Sequence, residues 1–287
     1  MVFIGIGWGL SFSISKIVVS SNDHPVSILF YQNIISFVFL GIFYFFNFKK
    51  LKITSQIFNF FFLISISGVV IPGTLFYIAA SKVPAGILSL SVAFVPMLTY
   101  VSSLYLKIET FSLLRISGVF LGFIAIFLLI GPPDSFADRS MVPWVLLAMI
   151  CPICYTFENV FIDVKKPIEV NSITLALGSS AITILILLPV VFYFELFIDI
   201  KYPFQKIEFS IIALGFITAV AYTLFIYLIT NAGAVFTSNV GYVVTISGVI
   251  WGIVLFQETH SYWVWLSLIT MIIGLSLVSP RRKTKKY

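Results

Sequence analysis

This 287-residue chain is 60% hydrophobic and only 10% charged, and it contains 31 phenylalanines. A water-soluble domain must cover its surface with polar groups, so this composition excludes one and indicates a chain that crosses a membrane many times. The net charge of +6 comes from lysines and arginines in the breaks between apolar runs, so no nucleic-acid partner is needed to explain it.

The apolar runs are mostly about 17 to 25 residues long, which is enough for a helix to cross a hydrocarbon core of about 30 Å. They are apolar on every side, whereas the strands of a transmembrane barrel alternate polar and apolar residues. We therefore predict an all-α integral membrane protein with ten transmembrane helices. The predicted spans are residues 2–20, 26–46, 57–79, 84–106, 112–131, 142–162, 172–194, 209–230, 235–256 and 262–279.

Basic residues are unevenly divided between the two sides of this predicted arrangement. Twelve of the 17 lysines and arginines lie on the side that holds the N-terminus: Lys49, Lys50, Lys52, Lys107, Arg115, Lys165, Lys166, Arg281, Arg282, Lys283, Lys285 and Lys286. Basic loops stay in the cytoplasm, so both termini are predicted to be cytoplasmic, in the inner or plasma membrane of the cell. Lipid binding is an alternative role for the basic tail.

A Glu-Thr pair occurs once in each half of the chain, in "LKIETFSL" and again in "LFQETHSY". The glutamates Glu109 and Glu258 are 258 − 109 = 149 residues apart. Other pairs that match at this offset are Ala85 with Ala234, Ser89 with Ser238, and Thr110 with Thr259. The chain is therefore predicted to contain a duplicated unit.

We place the two repeats at residues 1–133 and 140–287, with five spans in each and the basic cytoplasmic tail at the end of the second. Because five is odd, equivalent points of the two repeats face opposite sides of the membrane. Two such inverted bundles enclose a central site, and this arrangement favours alternating access.

Glu109 and Glu258 have two interpretations. Each follows a span and precedes a helix, so its carboxylate would face the positive end of that helix dipole. Alternatively, the two glutamates act as gate latches that bind a partner in only one conformation.

Several motifs together resemble the drug/metabolite transporter superfamily, in its ten-span form with two EamA-type repeats. They are "WGLSFSISK", the proline at the start of the second span, "SVAFVPMLTYVSSLYLKIET", "ISGVFLGFIAIFLL" and "LFQET". The resemblance covers nearly the whole chain. It implies a cavity lined mainly by spans 1, 3, 4, 6, 8 and 9, with spans 5 and 10 peripheral, and transport of small organic metabolites.

Two positions depart from the family pattern. Gln32 occupies a place where many relatives carry an arginine, and Thr245 stands where the first repeat has Pro96. A role tied to that arginine is therefore not transferred to this chain.

Glu158 in "CYTFENVF" is a candidate functional residue, because an ionisable side chain within the hydrocarbon is costly and is therefore expected to have a role. Helical spacing places it on one face with Tyr155 and Asn159. It could bind a substrate amine or carry a proton, or it could instead pair with Lys165 near the end of its span.

Three residues of the first span, Trp8, Ser11 and Ser15, share one face and would suit a small amphipathic ligand. Lys16 lies two turns from Trp8 and either contributes to coupling or extends to the lipid headgroups. Further candidates for lining the cavity are Tyr77, Asn239 and Tyr242, of which the last two belong to a polar stripe in the ninth span.

No cofactor, metal or catalytic residue is expected, and we predict a carrier rather than an enzyme. The sequence lacks a GxxxxGK[ST] loop, so we expect a facilitator or an ion-coupled carrier. A redox enzyme that uses Cys151 and Cys154 is the alternative from another class, and a drug or nucleotide-sugar carrier is the alternative among transporters. The expected partners are a small-molecule substrate and the lipid bilayer, with a homodimer through Gly118 and Gly122 as one further option.

Overall fold

Ten helical spans, joined by short connections, make up the described part of the protein. Its structure is a computed structural model, which describes residues 1–21, 23–47, 53–136, 138–200 and 202–278. Within these residues all regular structure is helical and no strand is present. The spans, numbered in chain order, are Val2–Val19, Pro25–Asn47, Ser55–Ala80, Ala85–Tyr105, Leu113–Ile130, Arg139–Lys165, Ser172–Tyr193, Lys206–Ala232, Ala234–Phe256 and Tyr262–Val278.

Nine of these spans are long and apolar enough to cross a membrane, and the tenth is an apolar helix of 17 residues. The predicted all-α fold with ten helices is confirmed. Span 8 begins at Lys206, three residues before the predicted start, because Gln205 and Glu208 form a capping box at its first turn. The backbone N–H of Gln205 donates to Glu208 Oε2 at 2.9 Å, which satisfies a donor that would otherwise lack a partner.

Three spans are interrupted near a proline. A proline removes the hydrogen bond to the carbonyl four residues earlier and crowds that carbonyl. Span 3 accordingly contains a π-helical turn at Ile66–Val70, whose central residue Gly68 lies four residues before Pro72. Span 4 is divided between Ala85–Val92 and Val95–Tyr105, with Pro96 in the first turn of the second helix.

Span 6 is interrupted at Met149, three residues before Pro152. Span 9 is divided without a proline, into Ala234–Ser238 and Val240–Phe256. At this break the Asn239 amide Nδ2 donates to the Phe236 carbonyl at 3.0 Å, so the side chain competes with the helical backbone. Continuous helices were predicted for all four spans, and the structure corrects this.

Successive spans run in opposite directions, so the protein has two faces. We call the face at which span 1 begins the N face, and the other one the distal face. Spans 4 and 9 therefore begin on opposite faces, as the inverted repeats require.

The packing of the spans is reciprocal between the two halves. Span 1 packs against spans 8 and 9, and its equivalent, span 6, packs against spans 3 and 4. Spans 2 and 7, 4 and 9, and 5 and 10 each pack against their own equivalent. Two inverted five-helix repeats thus form one interlocked bundle. The repeat limits at residues 133 and 140 stay a prediction, and the basic tail lies outside the described residues.

Spans 5 and 10 approach each other through glycines. A Cβ on Gly274 would come within 2.7 Å of the Gly118 carbonyl oxygen, so the two backbones touch. Gly122 in turn leaves room for Met97 of span 4. The small-residue motif therefore serves packing within the chain, and a homodimer would need a different surface.

Candidate functional site

A cavity of about 210 Å³ lies between the two repeats. Its walls come from spans 1, 2, 3, 4, 6, 7, 8 and 9, and none of the described residues of spans 5 and 10 contributes. Spans 2 and 7 are thus added to the six spans expected. The candidate residues found on its walls are Trp8, Ser11, Ser15, Tyr77, Tyr155, Glu158 and Asn159.

Glu158 projects from span 6 into this cavity and is 3% exposed. The Tyr222 hydroxyl of span 8 donates a hydrogen bond to its Oε1. On its other side lies the π-helical turn of span 3, where Gly68 leaves room for the carboxyl group and any side chain would overlap it. The acid is therefore enclosed by elements of both repeats. Its hydrogen-bond partner is Tyr222, and it does not form the ion pair with Lys165 that was the alternative.

Asn159 lies beside Glu158 on the cavity wall and is 1% exposed. Its Nδ2 has no hydrogen-bond partner among the described residues. A buried donor without a partner costs about 1–3 kcal/mol. This amide could therefore donate to an oxygen of a bound ligand.

A second polar network crosses the cavity from span 3 to span 8. The Tyr77 hydroxyl donates to Gln32 Oε1, and Gln32 Nε2 donates to Thr218 Oγ1 at 2.6 Å. Ser15 also lies within hydrogen-bonding reach of Tyr77. Gln32 is thus part of the wall. Sequence reasoning named neither Gln32 nor Thr218 as a site residue.

Aromatic rings form much of the remaining wall. Trp8 and Phe225 meet edge to face with ring centroids 4.9 Å apart, and Phe12 and Phe76 do the same at 5.0 Å. Such pairs hold their rings in fixed orientations. The cavity therefore offers apolar surface around a small number of polar groups, as small-molecule sites do.

Lys16 does not face the cavity. Its Nζ donates to the carbonyls of Ala80 and Val83 at 3.0 Å each. Ala80 is the last residue of span 3 and Val83 follows it at the distal face, where a cation is stabilised by the negative end of the helix dipole. Lys16 also lies within electrostatic reach of Glu258.

Glu258 joins the end of span 9 to the start of span 4 on the distal side of the bundle. Its two carboxylate oxygens accept hydrogen bonds from the backbone N–H groups of Ala85 at 2.7 Å and Gly86 at 3.0 Å. These N–H groups begin span 4, so Glu258 caps a helix of the other repeat and not the helix that follows it. The first of the two interpretations of Glu258 therefore named the wrong helix.

Deeper in the same interface, spans 4 and 9 are joined by reciprocal hydrogen bonds. Ser89 Oγ donates to the Thr245 carbonyl, and Thr245 Oγ1 donates to the Ser89 carbonyl, both at 3.2 Å. We call Ala85, Gly86, Ser89, Thr245 and Glu258 the distal seam. Its polar groups are paired across the interface.

Glu109 has a different arrangement on the N face. Its Oε2 accepts from Arg115 Nη1 at 2.9 Å, and the Arg115 guanidinium lies 5.2 Å from the Tyr100 ring centroid. The start of span 9 is capped by Asp163 instead, whose Oδ2 accepts from the Ala234 N–H at 3.0 Å. The two repeats therefore close their faces with different residues.

The N-face halves of spans 4 and 9 pack against each other, and several buried polar atoms in these two halves lack partners among the described residues. We call this set the N-face seam: Thr99 Oγ1, Ser103 Oγ, Thr237 Oγ1 and Asn239 Oδ1. The four residues are at most 7% exposed. These four atoms differ in this respect from the polar groups of the distal seam, which are paired.

Asn239 and Tyr242 are not among the residues that line the cavity, although both were predicted to do so. Asn239 bonds back to its own helix, as described above, and Tyr242 packs against the apolar cluster around Met97 of span 4. Their neighbours Ser238 and Gly241 line the cavity in their place. The side of span 9 that faces the cavity at its break is therefore the one that carries Ser238 and Gly241.

Cys151 and Cys154 are free thiols outside the cavity lining. Cys151 is 3% exposed, and its Sγ–H donates to the Pro72 carbonyl at 3.4 Å. This contact gives Cys151 a packing role between spans 6 and 3.

The model of the EamA-like transporter family matches residues 1–131 and 142–279, one match for each half of the chain. No curated protein matches the sequence. A crystal structure of another protein covers 95% of this chain, and this chain covers 94% of it, with a TM-score of 0.65 at 14% sequence identity. At that identity the similarity shows the fold alone.

Proposed function

Because this chain belongs to the EamA-like transporter family, we propose that its cavity carries a small organic metabolite with an amino group, an amino acid or a related compound, by alternating access. The family makes the protein a multi-pass membrane transporter of the drug/metabolite type. The proposal that the solute has an amino group rests on Glu158, an acid that is buried in a cavity lined by both repeats.

Alternating access requires two gates that open in turn. The distal seam is one gate, because Glu258 holds the start of span 4 against span 9. The N-face seam is the other, because spans 4 and 9 meet there again through their opposite ends. A solute in the cavity would leave through whichever seam is open.

The four residues predicted to act in coupling or gating take different parts in this scheme. Glu158 binds the solute or a proton, since it faces the cavity. Glu258 and Lys16 support the closed distal gate, since both hold helix ends there. Glu109 is held by Arg115 on the N face and is released when that gate rearranges.

We place the protein in the inner or plasma membrane with the N face in the cytoplasm. This orientation rests on the excess of lysine and arginine on that side. Glu258 and the distal gate would then face the exterior. No nucleic acid takes part in this scheme.

A drug carrier is the second candidate, because the aromatic walls suit apolar cargo. A nucleotide-sugar carrier gains less support, since phosphates call for cationic groups. The redox alternative is weakened by the packing role of Cys151.

The test replaces Glu158 by glutamine, which keeps the size of the side chain and removes its charge. Ligands of the purified protein are first found by thermal shift, because a bound ligand stabilises the folded state. We expect Glu158→Gln to weaken binding about 10- to 100-fold, the value of a charged hydrogen bond, and to lower flux in liposomes accordingly.

Glu169→Gln is the matched control, since it removes an exposed acid far from the cavity walls. It should leave binding and flux unchanged. Equal flux in the wild type and in Glu158→Gln would remove this acid from the mechanism.

A further inference from the structure

The charge of the cavity is unbalanced. Glu158 is the one acid among its described lining residues, and these include no lysine, arginine or histidine. Two basic groups within the bundle are engaged elsewhere, Lys16 with carbonyls at the distal face and Arg115 with Glu109 at the N face. A buried carboxylate with no countercharge in the protein is costly unless a ligand cation or a proton neutralises it.

The walls would stabilise a cation at this position. Seven aromatic side chains line the cavity, and Tyr155, Tyr222 and Trp8 stand among them. The faces of aromatic rings attract ammonium groups, and the attraction is stronger where water is excluded. Tyr222 also fixes the position of the carboxyl group by donating to Oε1, so that an ammonium could approach the second oxygen.

A carboxylate on the same ligand would find no basic side chain among the described lining residues. The broken spans could in principle present free backbone N–H groups to an anion. At these breaks, however, the N–H groups of Ala93, Phe94 and Asn239 donate to carbonyls three residues earlier, at 3.3, 3.1 and 3.2 Å. Neutral donors such as Asn159 remain, and they lie beside the negative charge of Glu158.

We infer that the solute of this cavity is an organic monocation, an amine without an accompanying carboxylate, and not a free zwitterionic amino acid. The inference rests on the proposed carrier function and narrows it to one charge class. Ester, amide and decarboxylated relatives of amino acids belong to this class. The cavity size limits the solute to a small molecule.

The experiment compares ligands that share a side chain and differ in charge. Phenylalanine, leucine and methionine are each tested as the zwitterion, the amide, the decarboxylated amine, the N-acetyl acid and the N-acetyl amide. Binding to the purified full-length protein is measured by calorimetry, and counterflow is measured in liposomes. We expect the amides and amines to bind at least about tenfold more tightly than their parent amino acids.

Two variants identify the origin of the preference. Glu158→Gln should abolish the difference between cation and zwitterion, because both then meet a neutral wall. Tyr222→Phe keeps the acid, so it should retain the preference for cations even if all affinities change.

A parent amino acid that binds as tightly as its amide, or the absence of cation binding across the whole set, would overturn the inference. The proposed function is judged separately by the liposome measurement. Zwitterions that bind best and are carried would leave the carrier function intact and refute the charge class. Cations that bind but are never carried would support the charge class and refute the carrier function.

Discussion

His260 shows how strongly one side chain depends on its surroundings. The imidazole is 1% exposed, and its Nε2 lies 3.6 Å from Glu258 Oε2, with the Trp265 ring at its edge. Neither ring nitrogen has a hydrogen-bond partner among the described residues. Burial lowers the pKa of His260 below 6.5, although the nearby charge of Glu258 opposes the shift.

A lowered pKa makes stability depend on pH. Above about pH 6.5 the imidazole is neutral in both states, so it adds no pH dependence. As the pH falls below that value, the unfolded chain takes up the proton before the folded chain does, and the free energy of unfolding decreases. We expect the midpoint of thermal unfolding to fall more between pH 7 and pH 5 in the wild type than in His260→Gln.

The exposed His24 provides the matched control, and His24→Gln should retain the wild-type decline. If the midpoint of thermal unfolding falls by the same amount in His260→Gln and in the wild type between pH 7 and pH 5, His260 has no part in the pH response.

At the scale of elements, one pair of equivalent positions accounts for the different partners of the two glutamates. Arg115 in span 5 holds Glu109 on the N face, and at an offset of 149 its equivalent is Val264 in span 10. Valine cannot bind a carboxylate. Glu258 is therefore available to cap the start of span 4, where its charge is stabilised by the helix dipole and by two backbone donors.

Removing that charge should loosen the distal gate. A charged hydrogen bond is worth about 1.5–3 kcal/mol, so we expect Glu258→Gln to raise the open distal population about tenfold. The measurement follows labelling of Ser11→Cys in the cavity by an impermeant maleimide added outside cells, in a background with Cys151→Ser and Cys154→Ser. Labelling should become several-fold faster.

Glu109→Gln serves as the control, because its partner lies at the other face and distal labelling should not accelerate. Equal labelling rates in all three proteins would refute the role of Glu258 as a distal latch. Faster labelling only with reagent supplied from inside would instead place the distal face in the cytoplasm.

Much of the fold and part of the site could be predicted from the sequence, for different reasons. Hydrophobicity alone determines spans, and the spacing of Tyr155, Glu158 and Asn159 along one helix places them together on the wall. The spacing of residues along one helix does not show which residues of other helices they contact. The hydrogen bonds from Tyr77 to Gln32 and from Gln32 to Thr218 could therefore not be predicted from the sequence. For Asn239 the period of the helix was known, but the break that reorients it depends on its own side chain.

At the scale of the whole molecule, the two seams differ in whether their buried hydroxyls have hydrogen-bond partners. The distal seam pairs its hydroxyls across the interface, whereas Thr99 and Thr237 in the N-face seam bury hydroxyls that have no described partner. Burying such groups is unfavourable, and water would satisfy them if the seam opened. Among the hydroxyls of the two seams, this difference favours opening at the N face, while the unpartnered ring of His260 beside Glu258 acts in the opposite sense at the distal face.

Thr99→Val tests this imbalance, because valine keeps the shape of threonine and removes the hydroxyl. We expect the closed N face to gain about 1–2 kcal/mol, seen as a higher midpoint of thermal unfolding together with slower transport. Thr245→Val is the matched control in the distal seam. It removes a hydroxyl that is used, so it should lower the midpoint. A lower midpoint in Thr99→Val as well would contradict the proposed difference between the seams.

The contact between Gly118 and Gly274 has a consequence for how the protein is made. Span 5 is complete at Ile130, but its partner ends only at Val278, 278 − 130 = 148 residues later. At the usual rate of translation this interval lasts about 7 to 30 s. During that time the glycine face of span 5 must be covered by lipid or by another protein at the ribosome. The first half of this transporter is therefore synthesised long before it can finish folding.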